Sequence, residues 1–125
     1  MEKNKRPVNL DLIRFRFPIT AILSIAHRIT GVVLVLWLPV ALYILDLSLT
    51  DEAGFEEAKA LLAGGGVKFL LALSIWALAH HFFAGLRFLL IDFEVGVEKE
   101  AAVMSAKIVL AAGVLTFIIG LMVLM

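Results

Sequence analysis

Ile29 to Leu45 carries no charged side chain, and neither does the closing stretch of 18 residues, Ile108 to Met125. A third apolar run extends from about Val67 to Phe93. Inside hydrocarbon every backbone N–H and C=O must be paired within its own segment, so runs of this kind become membrane-spanning helices. Eighteen helical residues rise roughly 27 Å, close to the thickness of about 30 Å of a bilayer core. The expected spans are about 18–45, 67–93 and 106–125, and the expected fold class is an all-α membrane protein with three transmembrane helices. Phe17-Pro18 opens the first span, where proline's missing N–H does no harm. Pro39, inside it, is expected to bend the helix.

Three spans bury little against one another, so the bundle is expected to be part of a larger hetero-oligomeric helical assembly. Two units follow: residues 1–17 as an N-terminal segment and 18–125 as a three-helix anchor domain. Composition supports the membrane class, with 62% hydrophobic residues and a mean hydropathy of +1.04. The formal net charge of zero gives no bulk attraction to nucleic acid. The chain has no cysteine, which excludes disulfides, thiolate metal sites and a cysteine nucleophile. An iron–sulfur cluster beside it would belong to another chain.

Charge placement sets the expected orientation. Lys3, Lys5, Arg6, Arg14, Arg16 and Arg28 precede or open the first span. The loop after it holds Lys59 against Asp46, Asp51, Glu52, Glu56 and Glu57. The positive-inside rule puts the N-terminus in the cytoplasm, the acidic loop outside and the C-terminus in the periplasm. Within that loop Thr50 or Asp51 can cap a short interfacial helix ending near Ala63, where Gly64-Gly65-Gly66 breaks it. The apolar run starts too far in for a cleavable signal peptide, and Glu2 and Asp11 argue against a mitochondrial transit sequence. The expectation is a multi-pass protein of the bacterial inner membrane.

Ionisable groups at membrane depth cost roughly 2.5–3.5 kcal/mol on insertion scales, so they are functional candidates by default. Ser24, His27, Arg28 and Gly31 fall at i, i+3, i+4 and i+7, on one helical face at the mouth of the first span. Ser24 with Arg28 makes a donor pair for a carbonyl oxygen of the sort a quinone headgroup presents, with Phe17, Leu12 and Ile25 as apolar walls. The plain alternative for Ser24 is a bond to the carbonyl one turn back.

The other two histidines, His80 and His81, sit mid-way along the second span. Adjacent helical residues point about 100° apart, so only one can face a given ligand. His81 has Ala77 four residues before it, Gly85 four after and Ser74 beyond, a groove of small residues that admits a flat macrocycle. His80 has Trp76, Phe83 and Arg87 around it and reads as a packing residue. His81 is therefore the candidate haem axial ligand, with interhelical hydrogen bonding as the alternative. Arg87 lies roughly 9 Å further along the helix, within reach of a haem propionate; the alternative is snorkelling to lipid phosphates.

Two ordered motifs then carry a resemblance. Arg6-Pro7-Val8-Asn9-Leu10-Asp11-Leu12, Arg16-Phe17-Pro18-Ile19-Thr20-Ala21-Ile22 and Ser24-Ile25-Ala26-His27-Arg28-Ile29-Thr30-Gly31 resemble the N-terminal signature of the cytochrome b large membrane-anchor subunit of succinate dehydrogenase. His81, followed by Gly85-Leu86-Arg87 and Asp92-Phe93, resembles that family's second helix. The resemblance implies a complex of four subunits. A flavoprotein oxidises succinate, an iron–sulfur protein passes electrons on to ubiquinone, and two small three-helix anchors hold the quinone pocket and a shared haem b. It implies His81 as axial ligand, His27 and Arg28 near the propionates, and Ser24 and Arg28 on the quinone carbonyl. Phe88 stands where the family often has a histidine. A fumarate reductase-type menaquinone anchor and a non-redox structural membrane subunit are the competing classes.

Overall fold

The computed structural model describes residues 15–125. Four helices follow one another: α1 Ile19–Thr50, α2 Glu52–Ala63, α3 Gly65–Asp92 and α4 Lys99–Leu124. There is no strand among the described residues. Three of the helices, α1, α3 and α4, are long and apolar enough to cross a membrane. The expected three-span all-α fold is therefore the observed one. Leu12 lies outside the described residues.

Pro18 closes the extended entry segment as the N-cap of α1, and its carbonyl accepts from Ala21 and Ile22 at 2.9 and 3.2 Å. The helix continues unbroken through Pro39, which leaves the Val35 carbonyl without its amide partner. It also runs past the expected end near Leu45 as far as Thr50. The termination is chemical. Asp51 turns extended (φ −164°) and its carboxylate accepts from Gly54 N–H at 2.7 Å, capping α2. Gly54 is needed for this corner, because a Cβ there would lie 2.5 Å from the Leu47 carbonyl oxygen and collide with Thr50 Oγ1. Of the three glycines after α2, only Gly64 breaks the helix; Gly65 and Gly66 already belong to the first turn of α3.

At the far end of α3 the chain closes a Schellman motif. Val95 N–H donates to the Leu90 carbonyl and Glu94 N–H to the Ile91 carbonyl, each at 2.9 Å. That motif puts Glu94 in the left-handed region, at φ 61°. A left-handed non-glycine residue costs roughly 1–2 kcal/mol. Glu94→Gly is therefore expected to stabilise the assembled protein by about 1 kcal/mol, raising its thermal midpoint in detergent; a lower midpoint would show that the Glu94 side chain makes a compensating contact. α4 then starts at Lys99, seven residues ahead of the expected Ala106. Lys99-Glu100-Ala101-Ala102 are good helix formers, so hydrogen bonding begins before the charge-free stretch does.

The register between helices is antiparallel. Gly31 of α1 meets His81 of α3 while His27 meets Gly85; along the other seam Arg87 of α3 meets Ala102 and Ser105 of α4, His80 meets Gly113 and Ala72 meets Gly120. Small residues (Ala72, Ala77, Ala84, Ala106, Gly113 and Gly120) supply six of the nine buried positions of α3 and α4. That is how helices associate in lipid, where close backbone approach replaces hydrophobic drive. Leu23, Ala84, Ala106 and Val109 form the packed core near the end where α1 starts and α3 ends, flanked by Ile19, Phe88 and Leu110.

Candidate functional site

The polar residues of α1 separate by exposure. Ser24 and His27 are half-buried, Arg28 is exposed, and Thr30 is fully buried against α3. Six of the eight serine and threonine hydroxyls bond to a carbonyl three or four residues earlier in their own helix. Ser24 makes no such bond among the described residues, so the plain alternative for its hydroxyl is not what the helix does. Arg28 stands one turn further on the same face. Ile25 and Phe17 are both exposed, and the Phe17 ring meets Phe15 edge-on at 4.9 Å.

His81 is half-buried and turned to α1. Its Nδ1 lies 3.0 Å from the His27 carbonyl oxygen and 3.3 Å from Thr30 Oγ1. A carbonyl oxygen has no proton to give, so the 3.0 Å contact requires the hydrogen on Nδ1 of His81. In the neutral ring this leaves the lone pair on Nε2, which has no hydrogen-bond partner among the described residues. The His27 ring stacks on the His81 ring with centroids 4.0 Å apart and planes 10° from parallel. Stacking covers the face of the imidazole and leaves its in-plane Nε2 lone pair unblocked. The donor set therefore fits an axial haem ligand: one ring nitrogen anchored, the other open.

The small residues beside His81 have a different occupant from the one expected. A Cβ on Gly85 would lie 3.5 Å from His27 Nε2, so part of the groove receives α1 instead of lying open. Phe88, at the position that is often histidine in the family of resemblance, packs edge-on against His27 at 5.2 Å.

His80 faces the other way. It is 1% exposed, stacks on Trp76 at 5.7 Å and fits against α4 only because Gly113 lacks a Cβ, which would sit 3.0 Å from His80 Nδ1. Its Nε2 is buried without a hydrogen-bond partner among the described residues. Arg87 also belongs to this second seam. Its Nε donates to Ser105 Oγ at 2.8 Å and one terminal nitrogen donates to the Ala102 carbonyl at 2.9 Å. At 6% exposure it does not snorkel; it ties α3 to the start of α4. Six residues turn the helix through about 600°, so Arg87 and His81 occupy different faces. The guanidinium reaches the histidine pair only indirectly, lying 5.6 Å above the Phe88 ring.

The structure thus brings together His27, His81, Gly31, Gly85 and Phe88, with Ser24 and Arg28 further along α1. Thr30 joins them without having been singled out by its residue type. The signal for it was spacing: three residues after His27, it lies on the adjoining side of the same helix.

Comparisons with known proteins identify the family. The family model described as succinate dehydrogenase/fumarate reductase transmembrane subunit matches residues 2–120. The chain is 44% identical over 89 residues to a succinate dehydrogenase cytochrome b556 subunit of Coxiella burnetii, covering 70% of this chain and 71% of that one. A subunit of the same description from Paracoccus denitrificans is 32% identical over 123 residues, 98% of this chain and 95% of the relative. The succinate dehydrogenase hydrophobic membrane anchor subunit of Archaeoglobus fulgidus is 34% identical over 95 residues, 76% of this chain and 80% of its own. The chain belongs to the succinate dehydrogenase/fumarate reductase transmembrane subunit family, as a cytochrome b membrane subunit of the succinate dehydrogenase kind.

Proposed function

We propose that this chain anchors succinate dehydrogenase in the bacterial inner membrane, binds haem b jointly with a second small anchor subunit, and forms part of the ubiquinone-reduction site. One observation carries the haem reading: the Nδ1–H of His81 is held by the His27 carbonyl at 3.0 Å, which leaves Nε2 as the ligating atom. When bound, haem b supplies a one-electron carrier within the bilayer. His81 would hold the haem iron through Nε2, and the partner anchor would supply the other ligand. His27 and Arg28 stand on the α1 side to meet propionates. Arg87 is not assigned to them, because its guanidinium is committed to Ser105 and the Ala102 carbonyl on the other seam.

Ser24 and Arg28 take the quinone carbonyl, with Ile25, Phe17 and Leu12 as the apolar walls. A hydroxyl and a guanidinium on one oxygen stabilise the negative charge it gains as electrons arrive. Residues 1–17 and the Ser24–Arg28 end of α1 face the cytoplasm, where the iron–sulfur subunit docks on the membrane and the flavoprotein subunit oxidises succinate. The acidic α2 then lies on the periplasmic surface. Ubiquinone is the assigned acceptor.

The test is a reduced-minus-oxidised optical spectrum of membranes in which the chain is produced with its neighbouring subunits. A b-type signal that co-purifies with the chain is the expected outcome. A purified, succinate-oxidising complex without that signal would overturn the haem assignment and favour a haem-free anchor.

A further inference from the structure

Thr30 is the one threonine at the bundle centre, with no exposed surface. Its Oγ1 lies 2.9 Å from the His27 carbonyl, 3.0 Å from the Ala26 carbonyl and 3.3 Å from His81 Nδ1. A hydroxyl has one proton and two lone pairs. The proton goes to the helix carbonyls, because neither of them has another way to bond an oxygen. The lone pairs then remain for the only donor within reach from α3, the Nδ1–H of His81. That hydrogen is consequently shared between two acceptors on α1, a backbone carbonyl and the threonine oxygen. Gly31, the next residue, completes the seat: a Cβ there would lie 3.0 Å from His81 Cε1 and force the ring to shift.

We propose that Thr30 is a positioning residue for His81, fixing the rotation of the imidazole and its ligand strength from the neighbouring helix; this rests on the haem reading above. Two acceptors on Nδ1–H hold the ring plane against rotation about its last side-chain torsion. They also draw the Nδ1 proton outward, which makes Nε2 a stronger electron donor to a metal. A stronger donor favours the ferric state, so the residue lowers the haem midpoint potential. A valine at this position keeps the branched shape and removes both the donor and the acceptor. A serine keeps the hydroxyl.

The experiment uses the complete complex carrying Thr30→Val or Thr30→Ser, read by potentiometric titration of the haem and by low-spin ferric electron paramagnetic resonance. Thr30→Val is expected to move the midpoint to more positive values and to shift the largest g-value, while Thr30→Ser stays near the parent in both. Loss of haem in Thr30→Val with retention in Thr30→Ser would support the proposal equally, because the hydroxyl alone distinguishes them. A haem-loaded Thr30→Val complex with parental midpoint and g-values would overturn it, and so would identical loss of haem from both variants. His81→Ala separates the two readings. If that variant keeps the b-type signal, the haem assignment itself fails; if it loses the signal while Thr30→Val changes nothing, only the role of Thr30 fails.

Discussion

His81→Ala is expected to abolish the b-type difference spectrum of the assembled complex, while His80→Leu leaves its amplitude unchanged. The two histidines are neighbours in sequence but belong to different seams. His81 anchors Nδ1 on the His27 carbonyl and keeps Nε2 in the plane of a half-buried ring. Alanine removes the ligating atom outright, so no reduced-minus-oxidised signal survives. His80 is enclosed between Trp76 and Gly113 and could approach a cofactor only if α4 moved off α3. Leucine is the informative replacement there, because alanine would add the cost of a cavity to the loss of the ring. The buried Nε2 of His80 has no hydrogen-bond partner among the described residues, and such an atom costs about 1–3 kcal/mol. His80→Leu is therefore expected to match or exceed the parent in thermal stability. Loss of the spectrum in His80→Leu alone would reverse the assignment of the two histidines.

What the sequence made legible was decided by period and charge. Three charge-free or nearly charge-free runs located α1, α3 and α4, and Asp51 with the glycines after Ala63 located α2. Helix ends were less legible, since hydropathy marks the bilayer and not the limits of backbone hydrogen bonding. Lys99–Ser105 shows this: a segment that opens on two charged residues is helical, and its Ala102 carbonyl and Ser105 hydroxyl accept from Arg87. Spacing along one helix correctly grouped Ser24, His27, Arg28 and Gly31 on a face, but it could not say which helix would cover that face. The same limit applied to α3. Its small residues mark where something approaches the backbone, and part of what approaches is the His27 ring and not a ligand. Arg87 was read as a propionate contact or a snorkelling charge, whereas its partners on α4 depend on an interhelical register that no single-helix pattern contains. Spacing put Thr30 beside that face, but its role was not legible for a related reason, because it lies in a contact 51 residues away in sequence.

Ser24→Ala and Arg28→Leu are each expected to lower electron transfer from succinate to quinone by roughly 100-fold, the lower end of the range that loss of one donor to a developing oxyanion produces. Succinate oxidation with a soluble artificial acceptor should stay at the parental rate, since in the proposed complex that path leaves the iron–sulfur and flavin subunits before it reaches this chain. The two side chains make different contributions. Ser24 offers a short hydroxyl that its own helix does not use, unlike Thr30, Ser48, Thr50, Ser74, Ser105 and Thr116. Arg28 offers a permanent positive charge and several N–H groups from an exposed position one turn away. Arg28→Lys retains the charge without the planar fork, and an intermediate rate in that variant would separate electrostatic attraction from directed hydrogen bonding. Equal loss of the quinone-linked and artificial-acceptor activities would mean that these residues support assembly instead of the quinone. An unchanged quinone rate in both variants would leave the pair as a helix-end feature at the membrane surface, with the carbonyl held by the partner anchor alone.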